Sequence, residues 1–267
     1  MPDTRTTATT VHLADITREA YIYFGAGATV ILQMANPGVG LGVARHSATL
    51  ERPLDRLRAT MSYVYATTLG TDEERAAVAR HVNRAHAPVR SPLYNAFDPD
   101  LQLWVAATLY RSAVDLHDLF AGPLSAANEE TLYREAWVYG STLQVRDAQW
   151  PPTLQEFQPW WEAQRAGFSV DAEVREYVHQ VLKGGSAPWY TRGLLPMQRF
   201  VTRGLLPPDL RRDFQLPWSE QDAKHWARFK RWAPRVYWAM PAFLRHLPAH
   251  FYLRDLRRRM ATPPPQG

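Results

Sequence analysis

Apolar residues along this chain recur at three- and four-residue steps, the period of one helix face rather than of a strand. Ile16, Ala20, Tyr23 and Phe24 set that period at the head of a stretch that stays apolar to Ala35, and Asn36-Pro37-Gly38 is its expected stop. A second helix is predicted over 53–69, with Pro53 in its first turn and Gly70 closing it. A third follows over 71–89, capped by Thr71 or Asp72 and opened by acids that suit the positive end of the helix dipole. The same period predicts helices over 98–120, 125–143, 153–168, 171–182, 197–206 and 219–240. No segment alternates with period two for long enough to build a sheet. The expected fold is all-α, a single multi-helix domain of about eight to eleven helices over residues 13–260. A polar, Thr-rich N-terminus (1–12) and a Pro-rich tail (261–267) are expected to be disordered.

Two features of composition change this picture. Ala20 to Ala44 carries no charged residue, long enough for a membrane span, but Gln33, Asn36, Pro37 and Gly38 interrupt it. A buried central helix accounts for the run better, and with no basic–apolar leader at the start the chain is expected to be cytoplasmic. The formal net charge of +5 hides an asymmetry: Arg192 to Met260 holds 15 Lys+Arg against 5 Asp+Glu. That basic end is read as a solvated helical face, with its tryptophans packed on the core. Anionic vesicles are accordingly expected not to capture the protein. Nucleic-acid binding has the charge but no motif. The absence of cysteine excludes disulfides, thiolate-ligated haem, iron–sulfur clusters, Cys-based zinc sites and a cysteine nucleophile.

Candidate chemistry centres on His81 and His86. Five residues apart, they lie about 140° apart on a helical wheel and cannot share a metal ion. His86 shares the apolar stripe of Val78, Ala79 and Val82, whereas His81 stands beside Arg84 on the charged face. His86 is the inward one. An inward histidine is more often a hydrogen-bonded core residue than a ligand. On the preceding helix Arg56, Thr60, Tyr63 and Thr67 form a polar row beside an apolar stripe of Leu57, Met61 and Val64. That row either faces solvent or lines a pocket, because buried polar groups need partners.

Five ordered blocks carry a resemblance: "REAYIYFGAGATVILQMANPGVGLGVARHS", "PLDRLRATMSYVYATTLGT", "RAHAPVR", "FDPDLQLWVAATLYRS" and "GLLPPDLRRDFQLPW". Together they resemble the family of MpaB-type oxygenases and rubber oxygenases (latex clearing proteins), from about Arg18 to beyond Trp218. The resemblance implies a globin-like helical core holding haem b. By the family's pattern of arginine, threonine four later and histidine on the next helix, His86 would be the proximal iron ligand. Arg56 and Thr60 would sit in the haem pocket as catalytic residues, and Gln33 and Asn36 beside the cofactor.

The chain departs from the family at Asn36 and Ala106, where many members carry histidine, and at Ala59, where rubber oxygenases can carry a ligating lysine. These departures leave the sixth iron position open or water-filled and argue against rubber as substrate. The implied function is a haem b-dependent oxygenase using O2 or peroxide on a small, apolar organic substrate. The alternative is a non-catalytic helical module whose basic, aromatic C-terminal segment lies on a membrane surface or a protein partner.

Overall fold

The computed structural model describes residues 10–185 and 188–261, and helices occupy most of them. The helix expected from Ile16 is divided: α1 (Leu13–Thr17) ends at Arg18, and α2 (Ile22–Met34) begins after a bend. The bend follows from tertiary partners. Glu19 is drawn into a buried ion cluster with Arg245 and His246, and the Ala20 N–H donates to the Arg245 carbonyl at 2.9 Å. Asn36-Pro37-Gly38 does not end helical structure either. The Asn36 side chain accepts from the N–H groups of Gly38 and Val39 and caps α3 (Pro37–His46), with proline in its first turn. Three glycines in ten residues masked α3 in the sequence pattern. One of them is required by the corner: a Cβ on Gly40 would stand 2.5 Å from the Met34 carbonyl oxygen.

A 3-10 turn (Ala48–Leu50) leads into α4 (Pro53–Leu69), and Thr71 with Glu74 forms a capping box that opens α5 (Asp72–His86). The only strands among the described residues are β1 (Arg90–Ser91) and β2 (Tyr94–Asn95), antiparallel with Arg90 opposite Asn95. Asp98 caps the long α6 (Pro99–Ala121). Then come α7 (Ala126–Ala136), α8 (Val138–Ser141), α9 (Leu154–Ala166), α10 (Ala172–Lys183), α11 (Leu195–Leu205) and α12 (Pro208–Asp213). The chain closes with α13 (Glu220–Trp238) and α14 (Ala242–Ala261). There are more helical segments than expected because long amphipathic stretches are broken at bends that no local signal marks.

α2 is the central helix, as its composition predicted, packed against α3, α6 and α11. Around α6 lies an aromatic core: Trp104 stacks on Trp161 at 4.8 Å, and Tyr110 meets Tyr133 and Phe157 edge-on at 5.3 and 5.2 Å. Where α11 meets α13, Gly204 allows contact with the Trp226 ring, since a Cβ there would lie 2.6 Å from it. Among the described residues no helix is long and apolar enough to cross a membrane.

Three expectations about the ends need correction. Val11 and His12, assigned to a frayed terminus, are tied to α7 through Asn128 and Glu135 at 3.2 and 2.6 Å. The helix α14 was not foreseen, because Pro248 interrupts it and apolar residues lie on two sides; it runs through Ala261, where the tail was expected to begin. Residues 1–9 and 262–267 lie outside the described residues. The C-terminal tryptophans are not uniformly packed. Trp226 is half-buried between Phe200 and Phe229, but Trp232 is 52% exposed and Trp238 43%. The inward stripe of α13 is Phe229, Ala233 and Tyr237, and Trp232 falls one position off it.

Candidate functional site

The polar row on α4 descends from an open end into the core. Tyr63 and Thr67 at its inner end are buried and satisfied within the fold: the Tyr63 hydroxyl donates to the Tyr139 carbonyl at 2.6 Å, and Thr67 donates to the Tyr63 carbonyl. The outer end is different. Among the described residues the Thr60 hydroxyl has no hydrogen-bond partner, whereas Thr68 on the same helix returns its hydroxyl to the Val64 carbonyl at 2.9 Å. Arg56 has no carboxylate partner among the described residues. It keeps solvent-reachable surface, yet surrounding protein desolvates the guanidinium and lowers its pKa, with the Tyr177 phenol opposing that shift. Arg56 therefore stands at the open end of the row.

His86 is the last residue of α5, which packs against α4. Val78 on its stripe is buried and Val82 half-buried, while His81 is exposed, so the wheel assignment holds. The His86 Nδ1 is buried without a hydrogen-bond partner, and the ring stands edge-on to Phe97 at 6.3 Å. Burial first, and then the positive charge of Arg56, push its pKa down to about 4. At neutral pH the imidazole therefore keeps the lone pair a metal ligand needs. Its helix is held in register by amides: Gln144 Nε2 donates to Asn83 Oδ1 at 3.0 Å, and the Gln144 backbone N–H donates to Gln102 Oε1 at 2.8 Å.

Arg56, Thr60 and His86 thus belong to one pair of packed helices, and Arg56 and His86 interact electrostatically. Gln33 and Asn36 are placed differently. The Gln33 carbonyl accepts from Trp104 Nε1 at 3.1 Å, and the Asn36 carboxamide oxygen is committed to the α3 cap. Neither shares a hydrogen bond with Arg56 or His86 among the described residues. Asn36→Ala is expected to cost about 1 kcal/mol of stability as a lost N-cap. Urea melts should show that loss, with any ligand capacity of His86 unchanged.

Tyr177 was missed by the sequence reading. It lies on the inward face of α10 with Val174 and Val178, a position indistinguishable from an ordinary core aromatic. Its hydroxyl is buried without a partner, and the ring lies close enough to Arg56 to oppose the lowering of the arginine's pKa. Ala106 is 2% exposed, packed within α6, and offers no ligand in place of the family's histidine.

A recess of about 320 Å³ lies elsewhere, between α2, α6, α9 and the end of α11. Its charges are paired within the fold, Arg111 with Asp115 and Arg165 with Glu162 and Asp209. The unmet polar groups select the α4–α5 site. Among the described residues no three His, Asp or Glu side chains converge on a point that could hold a bare metal ion. A single imidazole suits a metal whose remaining ligands come with a cofactor.

Comparison with known proteins places the chain in a family. An uncharacterized protein of Mycobacterium bovis and one of Mycobacterium tuberculosis are each 41% identical to the chain over 203 residues, covering 72% of it and 80% of their own length. No solved structure matches. Residues 14–235 match the family described as "ER-bound oxygenase mpaB/B'/Rubber oxygenase, catalytic domain", which takes in α2 to α12 and the whole α4–α5 site. The chain belongs to this family of oxygenase catalytic domains.

Proposed function

We propose that the protein is a haem b-dependent oxygenase with His86 as the proximal iron ligand. One observation carries the reading: a neutral, half-buried imidazole with a buried, unpartnered Nδ1 lies within electrostatic reach of an arginine that lacks a counter-charge. Each unmet group has a use toward haem. The imidazole offers a lone pair to iron, and the guanidinium offers charge to a propionate or to reduced oxygen.

Bound haem would supply iron chemistry toward O2 or peroxide. The chain's own residues set the conditions for it. His86 is neutral at neutral pH, because burial and Arg56 both oppose a second proton, so one ring nitrogen keeps its lone pair. Arg56 is a fixed cation that never needs to be charged from solvent. The Thr60 hydroxyl, free of the helix backbone, can hold or pass a proton at Oγ1, and the Tyr177 phenol can do so at Oη. Ala59, where rubber oxygenases can place a lysine, supplies no amine. With Asn36, Ala59 and Ala106 where rubber oxygenases can carry ligating side chains, a small, apolar organic substrate is favoured over a polymer.

The test is the visible spectrum of protein expressed with haem supplied. A Soret band at close to one haem per chain is expected. A colourless protein with native helicity overturns the proposal.

A further inference from the structure

The outward side of α14 carries the wrong residues for a solvated helix. Its inward stripe is Ala249, Leu253 and Leu256. On the opposite side Phe243, Leu244, Leu247 and Phe251 are 69%, 44%, 57% and 61% exposed. Their spacing places them along one face, and Arg254 and Arg258 continue it over the next two turns. On α13, Trp232 and Val236, with Met240 just beyond its end, follow at four-residue steps and are 52%, 56% and 38% exposed. Seven large apolar side chains are thus open to solvent between Trp232 and Phe251. Trp238 is not counted with them. Its Nε1 donates to the Phe120 carbonyl at 2.6 Å, and Arg245 covers its ring at 4.3 Å.

Apolar surface on this scale marks a binding face. We infer that α13 and α14 dock the protein onto an anionic lipid bilayer, with the Phe243–Phe251 face immersed in the headgroup region. Charge identifies the occupant. Residues 220–261 contain ten Lys+Arg and three Asp+Glu. The inner cations are consumed by the fold, Arg245 by Glu19, Arg257 by Glu74 and Arg259 by Asp255. Lys224, Arg228, Lys230, Arg231 and Arg254 are exposed and have no acidic partner among the described residues. Cations beside a Trp/Phe/Leu face are the pattern of a helix that lies in the bilayer interface. A second copy is the poorer occupant, because a two-fold contact would bring these same charges together.

The expectation from sequence that vesicles would leave the protein in solution rested on packed tryptophans, and Trp232 breaks that premise. Flotation at 0.1 M salt with phosphatidylcholine vesicles containing phosphatidylserine should carry the wild type to the top, and pure phosphatidylcholine should not. Raising salt should weaken binding at least roughly ten-fold. The triple variant Phe243→Ser, Leu247→Ser, Phe251→Ser should bind on the order of 100-fold more weakly. Hydrogen exchange on the wild type, which needs no variant, should slow over residues 240–254 when anionic vesicles are added. Wild type left at the bottom of the gradient, or equal capture by neutral vesicles, overturns the inference. So does light scattering that gives twice the 30.6 kDa chain mass, with the triple variant monomeric and neither protein floating.

Discussion

Haem-loaded His86→Ala protein is expected to lose its Soret band or show it grossly altered, while His81→Ala keeps it unchanged. The contrast is large because the two residues, on one helix, face different surroundings. His86 closes the stripe of Val78 and Val82 and leaves a buried Nδ1 without a partner, whereas His81 is exposed beside Arg84 and Arg259. If His86 holds a haem iron as proposed, its removal would leave the protein no side chain there to bind the metal, and apolar contact alone would hold the cofactor loosely. Arg56→Ala and Thr60→Ala are expected to retain much of the haem and lose oxygen-dependent turnover, since neither is required to ligate. Bleaching by His81→Ala in place of His86→Ala would reverse the assignment of the site.

Glu19→Gln is expected to destabilise the fold by about 3–5 kcal/mol, the cost of breaking a buried ion pair from one side. Glu19 is 7% exposed and accepts from Arg245 at 2.5 Å, His246 Nε2 at 2.9 Å and the Tyr237 hydroxyl at 2.6 Å. The amide retains the shape but leaves Arg245 without its counter-charge, so the thermal midpoint should fall on the order of 10 °C. Arg45 and Glu173 make a comparably short bridge at 2.7 Å but are 41% and 45% exposed. Arg45→Ala should therefore cost at most about 1 kcal/mol. Acid should reproduce the Glu19 effect. Burial alone would raise its pKa, but the hydrogen bonds from Tyr237, His246 and Arg245 outweigh burial and hold it below the ordinary value. A carboxylate depressed in the folded state contributes its full stability above its unfolded pKa, about 4.3, and loses it as pH falls through the folded value. Denaturation midpoints below pH 4.5 should thus drop more steeply for the wild type than for Glu19→Gln.

Much of the site could be read in one dimension. The four-residue spacing of Arg56 and Thr60 and the wheel position of His86 are local properties, and the fold keeps them. Whether the α4 row faced solvent or a pocket could not be read, and the structure answers it in two parts. Tyr63 and Thr67 are inside with partners, and Arg56 and Thr60 line the open end without them. Tyr177 could not be found at all, because nothing in "AEVREYVHQVLK" separates a site tyrosine from a core one. Asn36 reads from sequence as a cofactor neighbour through the family's pattern, and the backbone claims its oxygen first.

Helical class, most helix starts and which of His81 and His86 turns inward follow from residues within a turn or two of one another, so they were decided by sequence alone. Thr71 with Glu74, Asp98 and Ser219 with Asp222 each satisfy helix ends three residues or fewer away. The bend between α1 and α2 was not decided there, since it needs Glu19 to meet Arg245, 226 residues later. Nor was the outward face of α14. The same Phe243, Leu247 and Phe251 would read as core in a helix with protein on both sides, and only the packing of Ala249, Leu253 and Leu256 shows which side remained uncovered. Periodicity states that a face is apolar. What covers that face depends on the rest of the chain, because burial is a property of the neighbours that arrive and not of the residue that waits for them.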